Sequence, residues 1–368
     1  MFLIIVPVIV PYFMSLGLTM GQIFLTQAVF CLSIAIFEVP SAYLGDLLGR
    51  KYLIVVGSFI MGIGFTLLLK AESFLALCFY EAILAIGASF VSGADLSILY
   101  DSIDESRQAK LKALGEFQSF QLLGEALAAV CCSLLMVYGF KDVLQAQFIV
   151  GWLPFVIALS IKEPPIERMD KKMHRQNISE VLSHVFKDDK FLQLVFINMV
   201  TWSVCTFSAV WLIQKYWFES NVGLSNLGYF WAVCNLTAAI VGQFAAKIEK
   251  KIGSKLCLIL IAIIPIASYI TMGLTGGLVG ISCTLGFYIS RGLNMVILKE
   301  AFNHRIPSKF RNTANSLSSL CFRLTFFILG PLIGLIVDFK GLDFALVSCG
   351  VLFLLGFMGL MIPLVKKL

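Results

Sequence analysis

Long apolar runs recur along the chain, and short polar stretches separate them. Their positions are 2–13, 22–44, 52–69, 74–99, 117–136, 147–161, 191–216, 226–246, 256–274, 278–297, 314–337 and 344–364. A helix rises about 1.5 Å per residue, so a run of roughly 18–25 apolar residues matches the ~30 Å hydrocarbon core of a bilayer. The pattern therefore predicts an all-helical integral membrane protein with eleven full spans and a short first one. The first run, with Pro7 and Pro11 inside it, is too brief to cross as a straight helix. The expectation is that the native start lies upstream of Met1; a truncated first helix is the alternative.

The polar connection at 162–190 divides the spans six and six, into an N-terminal bundle at 1–161 and a C-terminal bundle at 191–368. It opens on Pro164-Pro165, which ends the sixth helix. Asn177 followed by Glu180 fits a capping box. Ile178, Val181, Leu182, Val185 and Phe186 then share one face, predicting a short amphipathic helix at the membrane surface or across the cytoplasmic helix ends. A faint internal repeat joins the halves. Aligned on Gly49 and Gly253, the segments after the second and eighth spans also match at Ala42 with Ala246 and at Lys51 with Lys255, while Asp46 meets Lys250.

Composition agrees with a membrane solvent. The chain is 59% hydrophobic and 14% charged, against about 25% charged in soluble domains. The net charge of +6 is spread over many short loops with no basic stripe, which argues against a nucleic-acid partner. The ten cysteines are scattered through apolar runs without a Cys-x-x-Cys pair and read as small core residues, so no metal and no disulfide framework is expected. His174, His184 and His304 fall in polar connections. No secretory signal, nucleotide-binding loop or nucleophile–base set is evident, so neither a cofactor nor an enzyme activity is expected.

Charge asymmetry orients the chain. With the turn around Asp46 in the cytoplasm, 22 of the 28 Lys and Arg residues fall on that side and only Lys70, Lys141, Lys215 and Lys340 on the other. In this count Lys299 belongs to a cytoplasmic segment. The asymmetry predicts a multi-pass protein of the cytoplasmic membrane with the 162–190 connection and the C-terminus inside.

Ionisable residues near mid-bilayer cost roughly 2.5–3.5 kcal/mol each on insertion scales. The third, sixth, ninth and twelfth spans carry none before their terminal turns, which marks them as lipid-facing supports. The charges fall elsewhere: Glu38, Glu81, Asp95, Glu125, Arg291 and Arg323. Polar stripes accompany them at helical spacing, as Gln118, Gln121 and Glu125, as Tyr288, Arg291 and Asn294, and as Ser316, Ser319 and Arg323. Two readings stand together: the acids of the first half pair with the arginines of the second, or these groups bind substrate and protons. Burial penalises the charged form of a carboxylate, so Glu81 and Glu125 are candidates for a coupled proton. Arginine keeps its charge and forks onto carboxylates. Arg291 and Arg323, with Gln118, Gln121, Tyr288 and Asn294, are therefore candidates for the substrate. Trp202, Trp211, Tyr229 and Trp231 read as packing or interfacial residues.

The connection between the second and third spans reads Glu38-Val39-Pro40-Ser41-Ala42-Tyr43-Leu44-Gly45-Asp46-Leu47-Leu48-Gly49-Arg50-Lys51. It resembles the helix 2–3 loop of the major facilitator superfamily, roughly Gly-x-x-x-Asp-Arg-x-Gly-Arg-Lys with a Glu-x-Pro lead-in. Asp46, Gly49, Arg50, Lys51, Glu38 and Pro40 match; Ala42 and Leu47 depart from the usual Gly and Arg. The stretch from Ser92 to Asp101, the tract Ile306-Pro307-Ser308-Lys309-Phe310-Arg311-Asn312-Thr313, and Gly330-Pro331-Leu332-Ile333-Gly334 with Asp338 resemble a bacterial branch of that superfamily. The resemblance covers nearly the whole chain. It implies the 12-helix fold of two six-helix bundles, with helices 1, 4, 7 and 10 nearest a central cavity. It also implies a conformational latch of Asp46, Gly49, Arg50, Lys51 and Asp101. The implied activity is secondary transport of a small organic molecule by alternating access, by a monomer in the lipid bilayer, with a proton as coupling ion and export ahead of import. Glu81 stands where many proton-coupled members carry Arg, and Gly124-Glu125-Ala126 replaces the Gly-Pro motif of drug antiporters. An importer of an organic anion such as a siderophore, and a non-transporting membrane sensor on the same scaffold, are the alternatives.

Overall fold

A computed structural model describes residues 2–92, 94–102, 107–163, 189–306 and 311–368. The described chain is helical almost throughout. A 3-10 turn, Val6–Val8, leads into α1, Ile9–Ser15, and then come α2, Met20–Leu48, α3, Arg50–Leu68, and α4, Phe74–Val91. α5, Ala94–Asp101, continues the fourth span after a break at Ser92. α6, Arg107–Met136, and α7, Phe140–Ser160, complete the first half. The second half holds α8, Lys190–Glu219, α9, Leu227–Ile252, α10, Ser254–Leu274, α11, Gly277–Arg305, and α12, Arg311–Lys340. It ends with α13, Leu342–Gly356, a π turn at Phe357–Met361, and α14, Ile362–Lys366. Ten described helices are long and apolar enough to cross a membrane; Val6–Ser15 and Leu123–Met136 are shorter apolar helices. This is the all-helical membrane architecture that the hydropathy predicts. The amphipathic helix expected at 178–186 lies outside the described residues.

Helix starts follow local chemistry. Thr19 and Gln22 form a reciprocal capping box on α2: the Gln22 amide N–H donates to Thr19 Oγ1 at 3.3 Å and Thr19 N–H donates to Gln22 Oε1 at 3.1 Å. Glycines open four other helices. Gly49 (φ 100°, ψ 150°) precedes α3 and Gly253 (φ 86°, ψ 152°) precedes α10; Gly139 (φ 118°) precedes α7 and Gly341 (φ 87°) precedes α13. A side chain disfavours these positive φ values. The third and ninth spans thus start alike, and so do the sixth and twelfth, which puts the Gly49–Gly253 alignment on a structural footing.

The helices gather into two compact units, one of Met1–Met169 with Gly223–Ala232, the other of Asp170–Val222 with Val233–Leu368. In the first, α3 packs on α4 and α7, and α2 packs on α4. In the second, α10 packs on α11 and α13, and α11 packs on α8. The third and ninth spans therefore hold the same place in their units. Gly57 and Gly87 let α3 and α4 meet backbone to backbone: a Cβ on Gly57 would lie 2.8 Å from the Gly87 carbonyl oxygen.

Several buried polar groups are satisfied across helices, as an apolar solvent favours. Ser41 Oγ donates to the Ser89 carbonyl at 2.9 Å, Ser290 Oγ to that of Ile261 at 2.6 Å, and Tyr269 to that of Cys205 at 2.7 Å. Asn198 is fully buried; it donates to the Leu360 carbonyl in the π turn at 3.0 Å and accepts from Trp202 Nε1 at 3.0 Å. Trp202 is thus a packing residue, as expected. The sixth span presents Ile149, Leu153, Val156 and Ile157 outward, a face suited to lipid.

The hydropathy pattern closes the second span at residue 44 and puts Asp46 in the turn. The structure carries α2 on through Gly45 and Asp46 to Leu48, so Asp46 sits on the helix and Gly49 alone makes the reversal. The tenth span likewise continues past residue 297 to Arg305. Lys299 is therefore a helical residue, not part of a loop.

Candidate functional site

A cavity of about 300 Å³ opens within the second unit between α8, α11 and α12. α11 contributes Arg291, Asn294, Met295 and Lys299; α12 contributes Asn315, Ser318, Ser319 and Phe322. α8 closes it with Met199, Ser203, Thr206 and Phe207. Helical spacing explains the α11 face: Arg291, Met295 and Lys299 follow at i, i+4 and i+8, with Asn294 one turn after Arg291. Asn294 is buried; its amide donates to Ser203 Oγ at 3.1 Å. Its Oδ1 is buried and has no hydrogen-bond partner among the described residues. The Phe207 and Phe322 rings meet edge to face, centroids 5.2 Å apart.

Among the described residues the lining carries two cations, no acid, and neutral donors and acceptors over an apolar floor. Among the described residues no carboxylate forms an ion pair with Arg291 or Lys299. Such a site attracts an anionic group, and the free carbonyl of Asn294 suits a hydroxyl or N–H donor beside it.

The sequence candidates fare unevenly here. Arg291 and Asn294 are wall residues. Arg323 adjoins the site: its Nε donates at 3.2 Å to Ser319, which lines the cavity. Tyr288 is buried on α11 and is not one of the walls. Lys299, Ser203 and Asn315 are not legible as site residues in the sequence. The signal for Lys299 is its i+8 relation to Arg291, masked by its place at the polar end of the run.

The first unit holds Glu81, 3% exposed, on α4. Gln27 Nε2 on α2 donates to Glu81 Oε1 at 2.6 Å. Gln27 is its one hydrogen-bond partner among the described residues, and no described cation pairs with it. A neutral amide satisfies one oxygen of this buried carboxyl without supplying an opposite charge. Glu125 on α6 is half-buried and Gln121 is exposed; the Gln118 side chain lies outside the described residues.

The side chains of Asp46 and Asp101 also lie outside the described residues, so the expected latch is visible only at Gly49, Arg50 and Lys51. There the first unit supplies a group that the motif does not contain. Glu163, at the end of the sixth span, accepts the Arg50 N–H at 2.5 Å and the Lys51 N–H at 3.4 Å. It caps the start of α3, where Gly49 has no side chain to do so. A Cβ on Gly49 would lie 2.7 Å from both carboxylate oxygens.

At the entrance of α8 in the second unit, Asp189 Oδ1 accepts the Phe191 and Leu192 N–H groups at 2.8 and 3.1 Å. Arg305 Nη1 meets its other oxygen at 3.4 Å and stacks over the Phe191 ring. Burial pushes the Asp189 carboxyl up, but the two N–H groups and the Arg305 guanidinium outweigh it and hold it below the usual carboxylate range.

Comparison with known proteins bears on the whole chain. A family model of the Major Facilitator Superfamily matches residues 1–305. The uncharacterized MFS-type transporter MJ1560 of Methanocaldococcus jannaschii is 21% identical over 340 residues, 92% of this chain and 88% of that protein. The uncharacterized MFS-type transporter YxaM of Bacillus subtilis is 25% identical over 364 residues, 95% of this chain and 89% of that one. Among solved structures, a variant of the nucleoside transporter NupG superposes with a TM-score of 0.81 at 12% identity, covering 98% of this chain and 96% of that one. A bacterial homolog of the human lysosomal transporter Spinster, inward-facing and unoccupied, gives 0.80 at 16% identity, covering 99% and 93%. At these identities the two structures speak for the fold.

Proposed function

The chain belongs to the major facilitator superfamily of membrane transporters, and from that premise we propose that it carries a small organic anion across the cytoplasmic membrane by alternating access. The observation that carries the reading is the α8–α11–α12 cavity, with Arg291 and Lys299 in its wall and no acid among its described lining residues. Arg291 binds the anionic group, Asn294 and Ser203 orient it, and Arg323 supports the site through Ser319. Glu81 carries the coupled proton, with Glu125 as a second carboxylate in the same half. The direction is export. An interior-negative potential favours the exit of an anion by about 2.3 kcal/mol per charge per 100 mV, and proton entry adds to that.

Asp46, Gly49, Arg50, Lys51 and Asp101 form a cytoplasmic latch in this reading. The two bundles, 1–161 and 191–368, of a monomer rock around a midplane site, and the latch favours the outward-open state, with the 162–190 connection and the C-terminus in the cytoplasm. The Lys and Arg distribution supports that orientation.

Proteoliposomes test the reading. Vesicles preloaded with unlabelled benzenesulfonate should exchange it for labelled benzenesulfonate, and an outside-acid gradient should drive it out of right-side-out vesicles. Exchange of tetraphenylphosphonium that depends on Glu81, without benzenesulfonate exchange, would replace the anion reading with cation efflux. Accumulation of benzenesulfonate with the proton would make the protein an importer.

A further inference from the structure

The cavity has one cation more than a single carboxylate needs. Arg291 and Lys299 stand on the same helix, eight residues apart, so their Cα atoms are ~12 Å apart along the axis. Met295 is an apolar residue between them on the helix, and Met199, Phe207 and Phe322 add apolar lining to the same cavity from α8 and α12. Among the described residues neither cation has an ion-pair partner. Lys299 is exposed on the helix, while Asn294 beside Arg291 is 3% exposed. The site is thus a deep cationic end and a mouth-side cationic end, joined by an apolar middle.

We propose that the substrate is an elongated dianion, two negative groups held apart by an apolar or aromatic body, and that Lys299 is the residue selecting for the second charge. This rests on the anion-transport reading of the same cavity. Two anionic groups on adjacent atoms reach only one of the cations, and a monoanion leaves Lys299 to water. A dianion of matching length engages both, and its apolar middle lies over Met295 and against the Phe207–Phe322 ring pair. An Arg and a Lys divide the work by their chemistry: the planar fork at the buried end fixes orientation, and the flexible ammonium at the mouth reaches for a charge without fixing its geometry.

The test uses the purified full chain and three probes: biphenyl-4-carboxylate, biphenyl-4,4′-dicarboxylate and phthalate, whose two charges are adjacent. Equilibrium binding is measured with the wild-type chain and with Lys299→Gln, Lys299→Arg and Arg291→Gln. The long dicarboxylate should bind about tenfold tighter than the monocarboxylate, a difference of about 1.4 kcal/mol, and phthalate should gain nothing over the monocarboxylate. Lys299→Gln should bring the long-dianion to monoanion ratio to about one, and Lys299→Arg should restore it. A wild-type ratio of one, a ratio that survives Lys299→Gln, or an equal gain for phthalate overturns the two-charge inference while the anion site stands. Failure of all three probes to bind, or binding unchanged in Arg291→Gln, overturns the anion site and the inference with it.

Discussion

Glu163 and Gly49 should behave as one unit in stability. Glu163 Oε1 lies 2.5 Å from the Arg50 amide nitrogen and satisfies a donor that α3 otherwise leaves open. Removing an N-cap acceptor costs about 1 kcal/mol, and losing a negative charge from a helix N-terminus about 0.3–1 kcal/mol. Glu163→Ala should therefore cost about 1–2 kcal/mol, and Glu163→Gln, which keeps an acceptor, about half that. Gly49→Ala meets two penalties. Its φ of 100° disfavours a side chain by about 1–2 kcal/mol, and the new Cβ would stand 2.7 Å from the carboxylate oxygens and displace the cap. Its total is about 2–4 kcal/mol. Once the cap is displaced, Glu163→Ala has little left to remove, so the double variant should match Gly49→Ala. The expected coupling is about 1–2 kcal/mol. Melting of the purified protein can be read with a thiol-reactive dye, since Cys31, Cys132, Cys205 and Cys257 are buried. At roughly 2–4 °C per kcal/mol, Glu163→Ala should lower the midpoint by about 2–8 °C in the wild type and hardly at all in Gly49→Ala. Losses that add to within about 0.5 kcal/mol would refute the carboxylate cap as the reason for the glycine.

Three other expectations concern function and pH. Glu81→Gln keeps a partner for Gln27 and removes the titrating group; transport driven by a pH gradient should be lost while substrate exchange at equal pH persists, and unchanged gradient-driven transport would remove Glu81 from the coupling. Asp189→Ala should cost about 1 kcal/mol through the lost α8 cap. Because the Asp189 carboxyl is held below its unfolded value, its contribution is complete above the ordinary carboxylate range and fades as pH falls through the lowered value. The deficit of the variant should therefore shrink on acidification, and a deficit that grows on acidification contradicts the assignment. Asp46→Asn should shift the balance of inward- and outward-open forms and reduce transport without abolishing expression; unchanged transport would count against the latch.

Hydropathy makes the fold legible because lipid imposes a length and a polarity on each helix. It misjudges helix ends, since polar residues are cheap wherever the helix leaves the hydrocarbon. Asp46 has the character of a turn residue, yet the glycine that reverses the chain stands three positions later. Lys299 falls in a loop by hydropathy for the same reason, although α11 carries it into the cavity wall. Arg291 and Asn294 stand out in the sequence because a charge in mid-span is costly to insert unless a cavity or a partner receives it, and a polar residue one turn away marks the same face. Tyr288 shares their stripe, but it is buried and is not one of the cavity's walls. Glu163 lies more than a hundred residues from the backbone it caps, and no local pattern announces such a contact. Gln27 reads as an ordinary polar residue in the second span until the fold sets it against Glu81. The paired glycine starts at Gly139 and Gly341 lack surrounding sequence similarity and become visible only in backbone angles.

The proposed transport rests on an anion site in the second unit, built on Arg291. Its most direct measurement is ligand-induced thermal stabilisation of the purified protein with organic anions and organic cations at pH 6 and pH 8, in the wild-type chain, in Arg291→Gln and in Arg291→Lys. Stabilisation by anions that Arg291→Gln abolishes and Arg291→Lys partly restores is the expected result. Stabilisation by cations instead, or by anions undiminished in Arg291→Gln, would contradict it.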